Sequence, residues 1–255
     1  MTMATDITNF PKPEDAYWGF FRADSAKNAV AWANVMSYPH VRVSARGRFH
    51  YFGTPEEYAA DADWTAREAT GWVRSQGRDP VRLHESTDKV HLLGGWTRYN
   101  ANNEPILSNH VTYILTKPGD FWGIQARFAT ESFSGSDEGE AANAATALVR
   151  QYGEDLNHGN LRACARLCRY PFVQVGIGKV RRIEDAAGLQ EMLGNAPVRT
   201  TTSVDVQAAK SATHGVIVTV TTAYETGDSE HTLMIVGKQE SSWQIAGVST
   251  MVVSP

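Results

Sequence analysis

The chain has 255 residues, of which 42% are hydrophobic and 20% charged, so it is a folded protein long enough for two domains. Its 24 Lys and Arg against 28 Asp and Glu leave a net charge of −4, and the longest basic run is Arg181-Arg182, which argues against a nucleic-acid partner. Because no apolar stretch could span a bilayer and no secretory signal pattern stands at the N-terminus, we expect a cytoplasmic protein with no membrane partner.

The first half is predicted to open with helices and to continue with strands. After a tail at 1–13, apolar residues at helical spacing predict a helix at 15–23, and a second helix at 27–37 stops ahead of a proline. A third helix begins at Thr54, which is followed by a proline and by a glutamate at the capping-box position, and it runs to about residue 71. The remaining patterns predict strands at 40–46, 48–52, 81–85, 89–100, 106–116 and 121–133.

The second half repeats this order after the small and acidic residues 132–139, which have the composition of a linker. Its predicted helices and strands follow in chain order: helices at 140–155, 161–169 and 184–193, and strands at 172–177, 201–209, 215–225, 231–238 and 243–253. Helices grouped early and antiparallel strands grouped late predict an α+β fold, with the helices on one face of a curved sheet.

Two aligned blocks indicate that the second half is a copy of the first. Residues 28–43 match 160–175 at seven of sixteen positions, and 108–124 match 229–245 at six of seventeen. Unrelated windows of average composition would share roughly one residue each. Because both matches run in the same order along the chain, we predict a tandem duplication.

Short segments near the end of each copy carry a family resemblance. They are RYNAN at 98–102 and DFWGIQAR at 120–127 in the first copy, and SWQIA at 242–246 in the second. These segments, with the order of elements, resemble the nuclear transport factor 2-like superfamily. That superfamily includes ketosteroid isomerases, scytalone dehydratases, polyketide cyclases of the SnoaL type and beta subunits of ring-hydroxylating dioxygenases.

The resemblance implies two tandem cone-fold domains, at 14–131 and 140–255. Each would have three helices packed on a strongly curved, mostly antiparallel sheet that encloses an apolar cavity. In the superfamily the outer face of the sheet often forms a dimer interface. Two copies in one chain therefore imply an intramolecular pseudo-dimer, in a protein that is either a monomer or a homodimer.

The first copy is the richer one in residues that suit a ligand pocket. It holds six of the seven Trp and five of the eight His, so we predict an open pocket in the first domain and a degenerate pocket in the second. The candidate catalytic residues are His40, His110, Tyr17 and Arg98. The candidate ligand-binding residues are Trp18, Trp32, Trp96, Tyr113 and Arg127.

Each of these candidates also has a structural interpretation. His110 is retained as His231 in the second copy, which fits a histidine that bonds across the sheet as well as a general base. His40 is replaced by Phe172, as a specialised site or an unconstrained position would be. The arginines could hold an anionic group or form salt bridges, and large aromatic side chains more often fill a core.

The resemblance, together with the aromatic and histidine content of the first copy, implies a small-molecule-binding protein of the SnoaL-like type. It would be a dehydratase, isomerase or cyclase that uses general acid/base catalysis on a hydrophobic or aromatic molecule, with no cofactor and no metal. Neither predicted first strand, HVRVSAR or FVQVGIG, carries the carboxylate base of the ketosteroid isomerase mechanism. The alternative is therefore a non-catalytic ligand-binding or protein-interaction module, or an accessory subunit. A cavity faced by His40 or His110 favours the enzyme, and one filled by tryptophans favours the module.

Overall fold

The computed structural model describes residues 9–130, 138–197 and 199–255. Within the first half, helices and strands follow one another in this order: α1 Pro13–Ser25, α2 Ala29–Asn34, β1 Met36–Ser44, β2 Phe49–Phe52, α3 Pro55–Ala60, α4 Thr65–Glu68, β3 Arg74–Gly77, β4 Val81–Glu85, β5 Lys89–Tyr99, β6 Pro105–Thr116 and β7 Gly123–Ala129.

The second half has fewer but longer elements. In chain order they are α5 Glu138–Asn157, α6 Leu161–Arg166, β8 Cys168–Val175, β9 Val180–Ile183, α7 Ala186–Gly194, β10 Thr201–Ala212, β11 Gly215–Tyr224, β12 Ser229–Gln239 and β13 Ser242–Val253. The predicted linker falls almost entirely on 131–137, which lie outside the described residues, and α5 begins at Glu138, inside the range predicted as linker.

The two halves form two sheets with the same strand order. The first sheet runs β2-β1-β7-β6-β5-β3, with β4 also paired to β5, and the second runs β9-β8-β13-β12-β11-β10. In the second sheet β13 pairs with β8 in parallel and the other neighbours are antiparallel. The predicted α+β class and the repeat of one topology in both halves are confirmed.

Three details of the first half differ from the prediction. β1 begins at Met36, so the segment around Pro39 is strand instead of the end of a helix. The single helix predicted from Thr54 to about residue 71 is instead two short helices, and just before the second the side chain of Asp63 accepts a hydrogen bond from the backbone of Thr65 (2.8 Å). The short strand β3 then follows where no strand was predicted.

The chain divides into two compact units. The first unit holds most of the first half and the second unit most of the second half, with 43–49 in the second unit and 177–179 in the first. No helix among the described residues has both the length and the apolar character that crossing a membrane requires.

Each unit has a core in which one long helix packs on its sheet. In the first unit the aromatic side chains of Tyr17, Phe20 and Phe21 on α1 meet Tyr113 on β6. In the second unit the corresponding helix, α5, contributes smaller side chains such as Ala145. This difference in side-chain size decides how much space each unit leaves open.

Candidate functional site

A cavity of about 330 Å³ lies in the second unit, between α5 and the sheet. Its inner wall is built by cross-strand neighbours: Val206 on β10 is paired with Val220 on β11, which is paired with Thr232 on β12. Side chains directly opposite one another in a sheet point to the same face, so these three line one surface. The wall is mostly apolar, and Val149 and Met234 extend it.

The mouth of this cavity is marked by side chains that stay in contact with solvent. Leu156 at the end of α5 is 36% exposed and Val204 on β10 is 50% exposed, although both line the cavity. Exposed apolar side chains at an opening are favourable sites for a partly apolar ligand, because a ligand that covers them removes their surface from water. The cavity therefore has a mostly apolar inner end and an accessible outer end.

One end of the cavity carries a tyrosine and a carboxylate. Tyr224 ends β11, and Glu230 is the second residue of β12, where it is paired with Thr222. All three residues line the cavity. Burial raises the pKa of the Tyr224 hydroxyl, the Glu230 carboxylate raises it further, and Arg199 partly offsets both. Tyr224 therefore stays protonated at neutral pH, so a hydrogen-bond donor and an acceptor group stand together in a mostly apolar cavity.

The first unit encloses a smaller cavity of about 110 Å³, with a different character. Its lining combines aromatic and charged side chains: Phe20, Phe21, Asp24, Trp32, Arg67, Ser75, Trp96, Arg98 and Arg127. The predicted residues Trp32, Trp96, Arg98 and Arg127 are therefore brought together. Tyr17, Trp18, His40, His110 and Tyr113 are not among the described residues that line it.

Matched wall positions explain why the two cavities differ. The 132-residue offset of the repeat aligns α1 with α5. Strand pairing aligns β5 with β11: Asn109 and Glu230 are matched in the repeat, and the residues paired with them are Trp96 and Thr222. At four such positions the first half has the larger side chain: Tyr17 for Val149, Phe21 for Gly153, Trp96 for Thr222 and Tyr113 for Met234.

Of these two cavities, the larger therefore lies in the half for which a degenerate pocket is predicted. The aromatic richness of the first copy was interpreted as the lining of an open pocket, but the rings fill the space themselves. Tyr17 packs edge to face on Tyr113 with ring centroids 4.9 Å apart, and Phe20 packs on Trp32 at 5.4 Å. Such contacts stabilise a filled interior by about 0.5–1.5 kcal/mol each beyond the area they bury.

His40 is a buried, neutral residue of the core. Its side chain is inaccessible to solvent, its Nδ1 donates to the carbonyl of Ile124 (2.8 Å), and its ring contacts the rings of both Phe52 and Tyr58. Burial, together with the charges of two nearby arginines, holds the pKa of His40 well below its usual range. With Nδ1 occupied, Nε2 has no partner among the described residues. His40 is therefore enclosed by protein and does not face the cavity.

Tyr17 and His110 are also engaged within the fold. The hydroxyl of Tyr17 donates to the carbonyl of Arg78 (2.6 Å), with the carbonyl of Gly95 at 3.1 Å, and burial raises its pKa. Arg78 in turn donates to Nε2 of His110 (3.3 Å). These contacts fit the structural interpretation, in which both side chains cross-link elements of the first unit.

The remaining predicted aromatic residues belong to the same filled interior. Trp18 packs against Tyr17 with ring centroids 4.9 Å apart. Tyr113 is fully buried, and its hydroxyl has no hydrogen-bond partner among the described residues. Burial raises the pKa of that hydroxyl far above its usual range, so it is neutral. In the part of the chain that the structure describes, no group of three or more His, Cys, Asp or Glu side chains is placed to hold a metal ion.

The comparisons with known proteins find similar structures but no similar sequence. No protein-family model matches the chain, and no curated protein matches it. A ketosteroid isomerase-like protein from Erwinia carotovora atroseptica is 18% identical, with a TM-score of 0.37, over 46% of this chain and 98% of that protein.

Two further solved structures are described as having a cystatin-like fold. One, from Burkholderia xenovorans, is 15% identical over 47% of this chain and 96% of its own, with a TM-score of 0.38. The other, a domain of unknown function from Nostoc punctiforme, is 15% identical over 62% of this chain and 99% of its own, with a TM-score of 0.41.

The residues that sequence reasoning missed are those of the second-unit cavity, Glu230 above all. The repeat alignment contains a signal for it, since Glu230 takes the place of Asn109 directly between the matched pairs Ser108/Ser229 and His110/His231. A carboxylate that replaces an amide at a matched position indicates a change of chemistry. A signal for the cavity itself was the loss of ring volume at Gly153, which a search for aromatic pocket residues overlooks.

Proposed function

We propose that the second-unit cavity binds a small, mostly apolar molecule that carries one hydroxyl or carbonyl group. The observation that supports this function best is the cavity itself: about 330 Å³, apolar on its inner wall, with Tyr224 and Glu230 at one end. A dry cavity of about 150 Å³ admits benzene, so this one has room for a fused two-ring molecule. A few polar groups in a mostly apolar cleft are typical of small-molecule sites.

The polar end selects the functional group of the ligand. The hydroxyl of Tyr224 is hydrogen-bonded to the Glu230 carboxylate. That carboxylate has further lone pairs that can accept a hydrogen bond from a ligand hydroxyl, and Tyr224 can exchange Glu230 for a carbonyl or ether oxygen of the ligand. A hydrogen bond to a charged group contributes about 1.5–3 kcal/mol, whereas the apolar wall contributes in proportion to the covered area. We therefore expect an aromatic alcohol to bind more tightly than the hydrocarbon of the same shape.

Fluorescence titration with 2-naphthol, and competition by naphthalene, test this proposal. The wild-type protein should bind 2-naphthol more tightly than naphthalene. Thr222→Trp, which introduces the side chain of Trp96 at the matched position, should weaken both by at least about tenfold because it fills the cavity. Glu230→Gln should lower only the preference for the alcohol, and the exposed Glu225→Gln is the matched control. Equal binding by wild type and Thr222→Trp would refute the proposal.

A second candidate function, proton transfer, is favoured by the pairing of Glu230 with a protonated tyrosine. A carboxylate can remove a proton from the carbon next to a carbonyl, and a tyrosine hydroxyl can stabilise the oxyanion that develops. The test is hydrogen–deuterium exchange at the α-carbon of 2-tetralone, followed by NMR. Acceleration by about 10²–10⁴ that is lost in Glu230→Gln supports catalysis. If the protein binds 2-naphthol but does not accelerate the hydrogen–deuterium exchange, proton transfer is refuted and ligand binding is the proposed function that remains.

A further inference from the structure

The small cavity of the first unit has more positive than negative charge on its walls. Three arginines and one carboxylate line it. The carboxylate, Asp24, is 2% exposed and is already satisfied by an ion pair with Arg67 and by Nε1 of Trp64, which donates at 3.1 Å. Arg98 and Arg127 therefore reach the cavity without a carboxylate partner among the described residues.

The two arginines are held in place by aromatic rings. The guanidinium of Arg98 lies 4.5 Å from the ring centre of Trp96, and that of Arg127 lies 4.8 Å from the ring of Phe20. Arg127 also donates to the hydroxyl of Tyr58 (3.4 Å). Stacking on a ring fixes the plane of a guanidinium and leaves its N–H groups, which lie in that plane, free to bind oxygen atoms.

Further hydrogen-bond donors on the walls lack acceptors. Nε1 of Trp32 and Nε of Arg127 are buried, and neither has a hydrogen-bond partner among the described residues. Both residues line the cavity, and Trp32 is only 3% exposed. Buried donors are normally satisfied by a protein group, by water or by a ligand. A group of donors without acceptors around an enclosed space matches the chemistry of an oxyanion.

The size of the cavity limits the anion. Its volume of about 110 Å³ corresponds to about three or four water molecules and is smaller than the cavity of about 150 Å³ that admits benzene. Phe20 and Phe21 are buried at its closed end, whereas Trp96 and Arg98 keep partial exposure and mark the entry. Such a space suits a short-chain carboxylate or an inorganic oxyanion and excludes a larger organic acid.

We propose that this cavity is a binding site for a small oxyanion, a short-chain carboxylate or inorganic phosphate, held between the guanidinium groups of Arg98 and Arg127. The matched positions of the second half carry Tyr224 and Val248, so the site belongs to the first half alone. It is independent of the proposed function, because no residue is common to the two cavities. Burial lowers the pKa of Arg98 to about 10, so this arginine remains a cation at neutral pH.

The experiment compares acetate with phosphate in thermal unfolding and isothermal titration calorimetry, with sodium chloride keeping the ionic strength constant. At least one of the two anions should raise the melting temperature of the wild type. The anion that binds more tightly shows whether the site prefers a short-chain carboxylate or inorganic phosphate. Arg98→Gln removes charge-assisted hydrogen bonds and should weaken that binding by at least about tenfold. Arg22→Gln, at an exposed arginine of α1, removes the same charge and should leave binding unchanged.

Two further variants keep the proposal falsifiable if a substitution affects folding. Arg98→Lys retains the charge but not the planar fork, and it should bind with intermediate affinity. Arg127→Gln, checked for its fold by circular dichroism, should lose affinity as Arg98→Gln does. Absence of any stabilisation of the wild type by either anion would overturn the proposal. So would a stabilisation that persists unchanged in Arg98→Gln, because the anion would then bind elsewhere.

Discussion

Filling the second-unit cavity from α5 should stabilise the protein while abolishing ligand binding. Gly153 lies in the interior of α5 and lines the cavity, and a Cβ built on it meets no heavy atom within 4 Å. Its counterpart in the first half is Phe21, which is buried. Gly153→Phe therefore places in the second unit the side chain that already fills the first, and Gly153→Ala is the matched control that leaves the cavity open.

The expected magnitudes follow from helix propensity and burial. Glycine in a helix interior costs about 0.8–1 kcal/mol relative to alanine, so Gly153→Ala should stabilise by that amount. Phenylalanine has a lower helix propensity than alanine, so it gains less from replacing glycine in a helix. Full burial of its side chain, however, contributes about 1.5–3 kcal/mol. Since this cavity is open at one end, we expect about 2 kcal/mol for Gly153→Phe. For a chain of this size that is a rise in melting temperature of about 4–8 °C, against about 2–4 °C for Gly153→Ala.

Thermal unfolding and 2-naphthol titration of both variants measure these effects. Gly153→Ala should bind 2-naphthol within about threefold of the wild type, and Gly153→Phe should not bind it measurably. A Gly153→Phe protein less stable than Gly153→Ala by more than about 1 kcal/mol would show that the ring has no room there. Wild-type binding by Gly153→Phe would show that the ligand lies elsewhere. Either result would refute the assignment of the open space next to α5.

Two further predictions concern stability. His40 is neutral in the folded protein because its pKa is held well below the usual value. In acid, therefore, the unfolded chain binds one proton more than the folded protein does. The free energy of unfolding is unaffected by His40 above about pH 6.5, and below that pH it falls by about 1.4 kcal/mol per pH unit. His40→Phe, which introduces the residue found at Phe172, should flatten this slope between pH 7.5 and 5.5 in thermal unfolding, and an unchanged slope would contradict it. Asp185 caps α7 by accepting from the backbone of Gly188 (2.8 Å), so Asp185→Ala should cost about 1 kcal/mol in urea unfolding, and no loss would mean that the cap is dispensable.

The fold could be predicted from the sequence because it depends on local patterns and on the repeat. Strands 89–100 and 106–116 are predicted to within one residue of β5 and β6, whereas β7 begins at Gly123, two residues after its predicted start. The start of β1 was missed, since the proline at 39 is a helix-stop signal and its place inside a strand is decided by tertiary pairing. The break between α3 and α4 is accompanied by a hydrogen bond from the backbone of Thr65 to the side chain of Asp63, which no periodicity reveals.

The candidate site was harder to predict because volume is a property of two facing surfaces. Arg98 and Arg127 lie with Trp32 and Trp96 around one cavity, since their strands and helix converge in one unit, but their role as a site stays a prediction. Composition alone could not show whether rings enclose a space or occupy it. That depends on whether α1 and β6 place aromatic side chains opposite each other, as they do with Tyr17 and Tyr113. Only the three-dimensional packing of the helix on the sheet shows this.

The matched walls make this chain a natural starting point for engineering receptors. The side chains that set the interior volume stand at equivalent places on α1 and α5 and on β5 and β11, and the two interiors share no lining residue. The volume and the charge of each cavity can therefore be changed by exchanging side chains between equivalent positions, without altering the lining of the other cavity. One polypeptide could in this way carry two orthogonal receptors, one for an apolar guest and one for an ion.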